Sequence, residues 1–329
     1  MGCNPTHRIM RHILTIVFIL NYLVGYSQIN DSSKSIVDSA VTSVITEARK
    51  GNVYYDNTQL FLILSSNPML SYLAFREYKD DVSEQVLNSL VTNYKWLRRI
   101  SDDTLLRQKI TLDLLQLYQR YKEPLNGYNT FDIPSGLSKP EDNKMSDFNE
   151  KAKQLLVELL QDSLINKNIL KITGIAGEKG LLHELQEFLP EGKRYQKFNN
   201  YGFYFSSWEW YARLAMARLG DKDQINFCLQ RILEKEDEII SNYYSAKDYF
   251  DDLVYIKQPE ILPFLFKMLI ENKEFEEKPL FSTSGLAINA LQKLLVGFPP
   301  EVGFSLTEKG VKEYKKWVRE NKGKYIFKD

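Results

Sequence analysis

The chain has 329 residues, enough for one large domain or two ordinary domains with a sizeable core. Its 43 lysines and arginines balance 43 aspartates and glutamates, which argues against a general nucleic-acid-binding protein because such proteins usually carry a basic excess. Two cysteines exclude a small scaffold held together by many disulfides and a zinc site made of cysteines alone.

The amino terminus has the order of features that is typical of a secretory signal peptide. Residues 1–12 contain two arginines and no acid, and residues 13–24 are mostly apolar. A small-x-small pattern at residues 25–27 then suits cleavage. We therefore predict an exported protein, periplasmic or extracellular, with residues 1–27 as the signal peptide and no membrane span after cleavage. An uncleaved membrane anchor is the alternative, although twelve apolar residues are short for a span.

The predicted mature chain is poor in residues that carry catalysis or bind metals. The signal segment contains two histidines and Cys3, so that His183 and Cys228 are the histidine and cysteine that remain. One of each cannot fill a zinc site, and no glycine motif for phosphate or dinucleotide binding is present. We predict no cofactor, no metal and no enzymatic activity. Cys228 is predicted to be a buried small hydrophobic residue, with a reactive thiol as the alternative.

Hydrophobic residues recur at helical spacing through most of the mature sequence, and strand signals are scarce. The first helices are predicted at 82–98, 103–121 and 148–165. Residues 122–146 hold three prolines and two glycines without periodicity, as in a loop or linker. We predict an N-terminal helical region with a weak repeat, residues 28–121, then this linker, then a repeat region with a C-terminal capping helix, residues 147–329.

Three segments of the C-terminal region share one form, an apolar helix, a tight polar turn and a second apolar helix. These segments are residues 169–189, 210–233 and 249–270. Their turns fall at Gly177, Gly220 and Lys257, a spacing that is typical of two-helix solenoid repeats of about 40 residues. A single pair has too little apolar surface to be stable alone, so we expect the pairs to stack.

The sequence ARLAMARLGD, residues 212–221, resembles the first helix and turn of a HEAT-type repeat. The resemblance covers residues 210–233 well and residues 169–189 less well, while Lys257 stands where the third copy should have a turn glycine. It implies an all-α fold, a right-handed α-α superhelix of irregular HEAT-like helical hairpins that serves as a binding scaffold. It implies no catalytic residues. The alternative is a helical domain without true repeats.

Residues 190–206, between the first two pairs, combine basic and aromatic side chains; we call them the aromatic-basic segment. The candidate binding residues are Arg194, Tyr195, Lys197, Phe198, Tyr201, Phe203 and Tyr204, with Trp208 and Trp210 directly after the segment. Aromatic residues and arginine dominate binding hot spots, and tyrosine and tryptophan also stack on sugars. The alternative is that these rings fill the joint between two helix pairs.

We therefore predict an exported, non-enzymatic scaffold that binds a protein partner through its concave face and the aromatic-basic segment. Three basic residues in that segment are too few for a nucleic-acid phosphate track. The alternative is a helical carbohydrate-binding or carbohydrate-active protein that uses the same segment and Asp251 or Asp252, since glycosidases need two opposed carboxylates. Adjacent aspartates are also common on a solvated helix face.

Overall fold

The computed structural model describes residues 31–52, 58–81, 83–121, 132–198, 207–237, 242–271, 273–275, 278–299 and 308–328. In these ranges helices form nearly all of the regular structure, and a two-stranded hairpin is the main exception. The prediction of an all-α fold is confirmed. No helix in the described ranges is both long enough and apolar enough to cross a membrane.

The chain divides into two compact units, Met1–Ile110 and Thr111–Asp329. The helices of the first unit, the last of which continues into the second, are α1 (Asp31–Arg49), α2 (Thr58–Ser66), α3 (Pro68–Arg76), α4 (Glu84–Ile100) and α5 (Thr104–Tyr121). Helix α1 packs against α2, α3 and α4. The apolar stripe predicted for α4 is buried, and Leu90, Tyr94 and Leu97 are fully enclosed.

The second unit holds the remaining elements. Its α-helices are α6 (Asp132–Leu137), α7 (Glu150–Gln161), α8 (Asn168–Ala176), α9 (Leu182–Gln186), α10 (Tyr195–Phe198), α11 (Trp208–Arg218), α12 (Lys222–Leu233), α13 (Tyr243–Ile256), α14 (Leu262–Glu271), α15 (Thr283–Leu294) and α16 (Glu308–Glu320). Short 3-10 turns lie at Met145–Asp147, Lys179–Leu181 and Pro259–Ile261. Strands β1 (Glu274–Phe275) and β2 (Lys278–Ser282) pair in antiparallel orientation between α14 and α15.

The predicted linker at 122–146 lies partly within the described residues. The division falls at Ile110, and residues 132–146 belong to the second unit, while 122–131 lie outside the described residues. Helix α6 lies in the predicted linker and packs against α8. Its Ile133 and Leu137 are fully buried, and this burial holds the segment against the second unit despite its prolines and glycines.

The three predicted helix pairs are present, with their turns at the predicted residues. Gly177, Gly220 and Lys257 adopt φ angles of 72°, 91° and 53°, in the left-handed region that ends many helices. In the first pair the second member is short, a 3-10 turn followed by α9. Helices α8, α11, α13 and α15 pack each against the next, and α14 packs against α15 and α16. These contacts place the helix pairs side by side in one core.

Lys257 occupies a backbone conformation that favours glycine, and this predicts a stabilising substitution. In the left-handed region, steric strain at the Cβ atom destabilises the folded state by about 1–2 kcal/mol. Glycine avoids this strain, but its greater conformational entropy in the unfolded chain lowers the free energy of unfolding by about 0.5–1 kcal/mol. We therefore expect Lys257→Gly to raise the free energy of unfolding by about 0.5 kcal/mol. Denaturant unfolding followed by circular dichroism measures this change.

Gly220 provides the matched control for this substitution. A Cβ atom at Gly220 would have no other atom within 4 Å, so alanine there adds backbone strain without crowding. We expect Gly220→Ala to lower the free energy of unfolding by about 1 kcal/mol. If both substitutions raised the free energy of unfolding, or both lowered it, the assignment of backbone strain to Lys257 would be wrong.

The carboxy-terminal helix α16 lies where the capping helix is predicted, and it has one apolar stripe beneath charged residues. Tyr314 is 1% exposed and stacks on Phe298, with 5.5 Å between the ring centroids. The Trp317 ring also contacts Phe298, at 4.9 Å between centroids. Because its other face carries exposed lysines and glutamates, α16 covers the end of the core formed by α14 with a polar surface.

Candidate functional site

Arg194 is the centre of the part of the aromatic-basic segment that the structure describes. Its guanidinium carbon lies 4.6 Å from the centre of the Phe188 ring and 5.0 Å from that of Phe198. The guanidinium also donates a hydrogen bond to the carbonyl oxygen of Asp162. Burial lowers the pKa of Arg194, and the nearby Asp162 and Glu187 carboxylates oppose this effect. Arg194 therefore binds three neighbouring parts of its own chain.

The rings around Arg194 continue into helix α11. Phe198 contacts Trp208 at 4.5 Å between ring centroids, and Phe188 stacks on Trp208 at 5.8 Å. Phe188 follows α9 and Trp208 begins α11, so this cluster joins the end of the first pair to the start of the second. The contacts of Arg194, Phe198 and Trp208 are those expected if these side chains fill the joint between two helix pairs.

Other residues of the segment have a different setting. Lys197 is exposed, and Tyr195 is partly exposed. Partial burial raises the pKa of Tyr195, and the Glu209 carboxylate raises it further. Tyr201, Phe203 and Tyr204 lie outside the described residues. The exposed Lys197 and the partly exposed Tyr195 are therefore candidate binding residues that a partner can reach, and Lys193 and Gln196 of the segment are exposed as well.

Trp210, the last of the candidate binding residues, is fully buried. Ser207 begins α11 by accepting a hydrogen bond from the Trp210 backbone N–H at 3.1 Å, which fixes the start of the helix. The Trp210 indole Nε1 donates to Asp252 Oδ2 at 2.7 Å. Trp210 thus links α11 to α13 from inside the core.

Asp252 also pairs with Lys171. We call these two residues and their neighbours the Lys171–Asp252 cluster, and the neighbours are Trp210, Tyr211 and Tyr255. The Lys171 ammonium lies 2.8 Å from Asp252 Oδ1, and the two side chains are 16% and 12% exposed. The ammonium also lies 4.7 Å from the centre of the Tyr211 ring and 5.1 Å from that of Tyr255. The cluster therefore connects α8, α11 and α13.

The electrostatics of the cluster favour a charged lysine. Burial alone lowers the pKa of Lys171, but the Asp252 carboxylate and the Tyr211 hydroxyl oppose it, and the net effect is a raised pKa. Tyr255 Oη donates to the carbonyl oxygen of Lys171 at 2.6 Å, and burial raises the pKa of this phenol. A protonated lysine and a neutral phenol suit a structural role better than proton transfer near neutral pH.

The two adjacent aspartates of α13 have different environments. Both carboxylate oxygens of Asp252 accept hydrogen bonds within the core, from Lys171 and Trp210. Asp251 is 45% exposed and pairs with Lys247 at 2.6 Å and Lys293 at 3.5 Å. An arrangement of two opposed carboxylates across a sugar cleft requires both groups to face the substrate. The carbohydrate alternative therefore stays a prediction that depends on Asp251.

Cys228 is fully buried on α12, and burial strongly raises the pKa of its thiol. Because the thiolate is the nucleophile, we expect iodoacetamide to leave Cys228 unmodified in the folded protein and to alkylate it on unfolding in urea. Mass spectrometry of the peptide that contains Cys228 measures the modified fraction. Rapid alkylation without denaturant would contradict the buried position.

No protein-family model matches the chain, and neither a curated protein nor a solved structure matches it. Among the described residues, no group of three histidine, cysteine, aspartate or glutamate side chains could hold a metal ion. The helix pairs, the aromatic-basic segment and the Lys171–Asp252 cluster are the features of the described residues that bear on function.

Proposed function

We propose that this protein is an exported scaffold, a HEAT-like α-solenoid whose stacked helix pairs bind a protein partner. The observation that carries the proposal is a repeated pattern of burial after each turn. The residues eight positions after the three turns are fully buried, and they are Leu185, Cys228 and Leu265. The residues that lie twelve positions after each turn are at most 7% exposed, and they are Leu189, Ile232 and Leu269. The same two positions after the turn are thus buried in all three pairs.

The stacking of the pairs supports a role in binding. Each first helix packs against the next, from α8 through α11 and α13 to α15. Stacks of this kind form extended concave surfaces when each pair is slightly rotated relative to the last. We propose that the concave face of a right-handed superhelix binds the partner, together with Lys197 and Tyr195 of the aromatic-basic segment.

Export rests on the pattern of residues 1–27, which lie outside the described residues. We propose that this segment is removed and that the mature chain begins at Gln28. The intact mass of the protein purified from its native host tests this step. A mass that includes residues 1–27 would contradict cleavage and support the alternative of an amino-terminal anchor.

The binding proposal is tested by purifying the tagged full chain from its native envelope after cross-linking. Lys197→Glu inverts an exposed charge of the segment and also removes an ammonium group that lies 5.3 Å from the centre of the Phe198 ring. We expect the amount of the specific partner, measured by quantitative mass spectrometry, to fall about fivefold or more. Lys222→Glu, which inverts an exposed lysine on α12, is the matched control and should retain the partner. Equal capture by both variants would remove the segment from the proposed site.

A further inference from the structure

A shallow pocket lies between helices α13 and α15. Its floor is formed by the buried side chains of Phe250, Val254 and Ala290, with Leu286 beside them. The cavity volume is about 100 Å³. An enclosed cavity of about 150 Å³ holds benzene, so this pocket has room for one small aliphatic side chain.

Among the residues that line the pocket, the rim carries two ammonium groups and one carboxylate, while the exposed Asp248 lies near Lys247 outside the lining. Lys247 and Lys293 stand on either side of Asp251, with ammonium to carboxylate distances of 2.6 Å and 3.5 Å. Their side chains are 52% and 35% exposed, so water screens both ion pairs. Exposed pairs contribute only about 0.2–1 kcal/mol, and one carboxylate is shared by two ammonium groups. A second carboxylate can therefore bind here without breaking a strong interaction.

The rim also provides polar groups for a polypeptide backbone. Asn289 is exposed beside Lys293, and its amide can both donate and accept a hydrogen bond. An extended peptide requires such bonds, because its backbone N–H and C=O groups lose water on docking. The pocket thus combines an apolar floor for one side chain, a backbone partner and two ammonium groups.

We propose that the pocket between α13 and α15 binds an acidic peptide segment of a protein partner. One small aliphatic side chain of the peptide fills the pocket above Phe250 and Ala290, and a neighbouring aspartate or glutamate pairs with Lys247 and Lys293. Charge complementarity and the pocket volume select this occupant. The inference rests on the proposed protein-binding function for the class of partner, but it adds a surface that is separate from the aromatic-basic segment.

A phage-displayed library of random heptapeptides, selected on the immobilised full chain, tests the proposal. We expect enrichment of sequences in which aspartate or glutamate lies next to valine, alanine, leucine or isoleucine. The selected peptides, labelled with fluorescein, should bind about tenfold more weakly to Lys247→Glu with Lys293→Glu, as measured by fluorescence anisotropy. Binding to wild type should also weaken as salt is raised.

Three further proteins complete the test. The double variant Lys247→Gln with Lys293→Gln removes the charges without adding repulsion and should also lose binding, while Lys247→Arg with Lys293→Arg should keep it. Lys222→Glu with Lys316→Glu gives the same change in net charge at exposed positions elsewhere on the second unit and should bind within about twofold of wild type. Selection of basic peptides or no enrichment would overturn the proposal. Unchanged binding by both the glutamate and the glutamine double variants would also overturn it.

The outcomes for this pocket and for the aromatic-basic segment are distinguishable. Peptide selection needs no native partner, so it can succeed when capture from the envelope fails. Conversely, a native partner that is lost with Lys197→Glu and retained by the pocket variants would support the scaffold function and place the partner away from α13 and α15.

Discussion

Replacement of Asp252 by alanine is expected to lower the free energy of unfolding of the second unit by about 3 kcal/mol. The variant leaves the Lys171 ammonium, 16% exposed, without the Asp252 carboxylate, and it removes the Asp252 oxygen that accepts a hydrogen bond from the buried Trp210 N–H. Removing one partner of a buried ion pair costs far more than the pair contributes, since the remaining charge stays desolvated. Urea unfolding of the full chain, followed by circular dichroism and tryptophan fluorescence, measures the loss.

The neighbouring residue provides the control. Asp251 lies on the same helix and pairs with two lysines, but it is 45% exposed, so we expect Asp251→Ala to change stability by about 0.5 kcal/mol or less. The double variant Lys171→Met with Asp252→Leu removes both charges and should recover much of the stability lost by Asp252→Ala. Similar losses for Asp251→Ala and Asp252→Ala would show that burial does not distinguish the two carboxylates.

The second large effect is expected from the addition of one methyl group at Gly174. A Cβ atom there would lie 2.2 Å from Tyr255 Oη and 2.9 Å from the Cα atom of Ala215. Within a helix, glycine to alanine normally stabilises by about 0.5–1 kcal/mol. At Gly174 we expect the opposite sign, a loss of about 2–3 kcal/mol, because α8 and α11 must separate to admit the methyl group. The melting temperature and urea midpoint of Gly174→Ala measure this change.

A double-mutant cycle identifies the source of that loss. Tyr255→Phe removes the oxygen atom nearest to the added methyl group, together with its hydrogen bond to the Lys171 carbonyl. We expect Gly174→Ala to cost less in the Tyr255→Phe background than in wild type, by about 1 kcal/mol. Strict additivity of the two substitutions would mean that the crowding comes from the Ala215 backbone alone.

The helix pairs could be predicted from the sequence because their signals are local. Apolar residues at helical spacing indicate each helix, and Gly177 and Gly220 indicate the turns between helices. The same local pattern recurs in neighbouring pairs, so each pair supports the prediction of the next. Lys257 could be placed by its position between two apolar helices, although its residue type does not favour the left-handed conformation. The irregular segment that includes α6 could not be predicted, because the burial of Ile133 and Leu137 depends on the rest of the second unit.

The Lys171–Asp252 cluster was missed for a related reason. Lys171 and Asp252 are 81 residues apart, and nothing in either local sequence specifies the partner. A signal was present, since each is a charged residue that interrupts an otherwise apolar helical stripe. Such residues pair with each other when they are buried. Trp210, in contrast, is a candidate by residue type alone, and tryptophan occurs in binding surfaces and buried cores alike.

The Lys171–Asp252 cluster also has a consequence for how the second unit opens. In a linear array where each helix pair touches only the next, pairs can unfold from one end at low cost. Here Lys171 and its carbonyl bond directly to Asp252 and Tyr255, so the first pair contacts the third across α11. Loss of α13 therefore exposes a lysine of α8 and a tryptophan of α11 at once. We expect the backbone amides of α8, α11 and α13 to exchange with solvent deuterium through one shared opening, as a single cooperative unit.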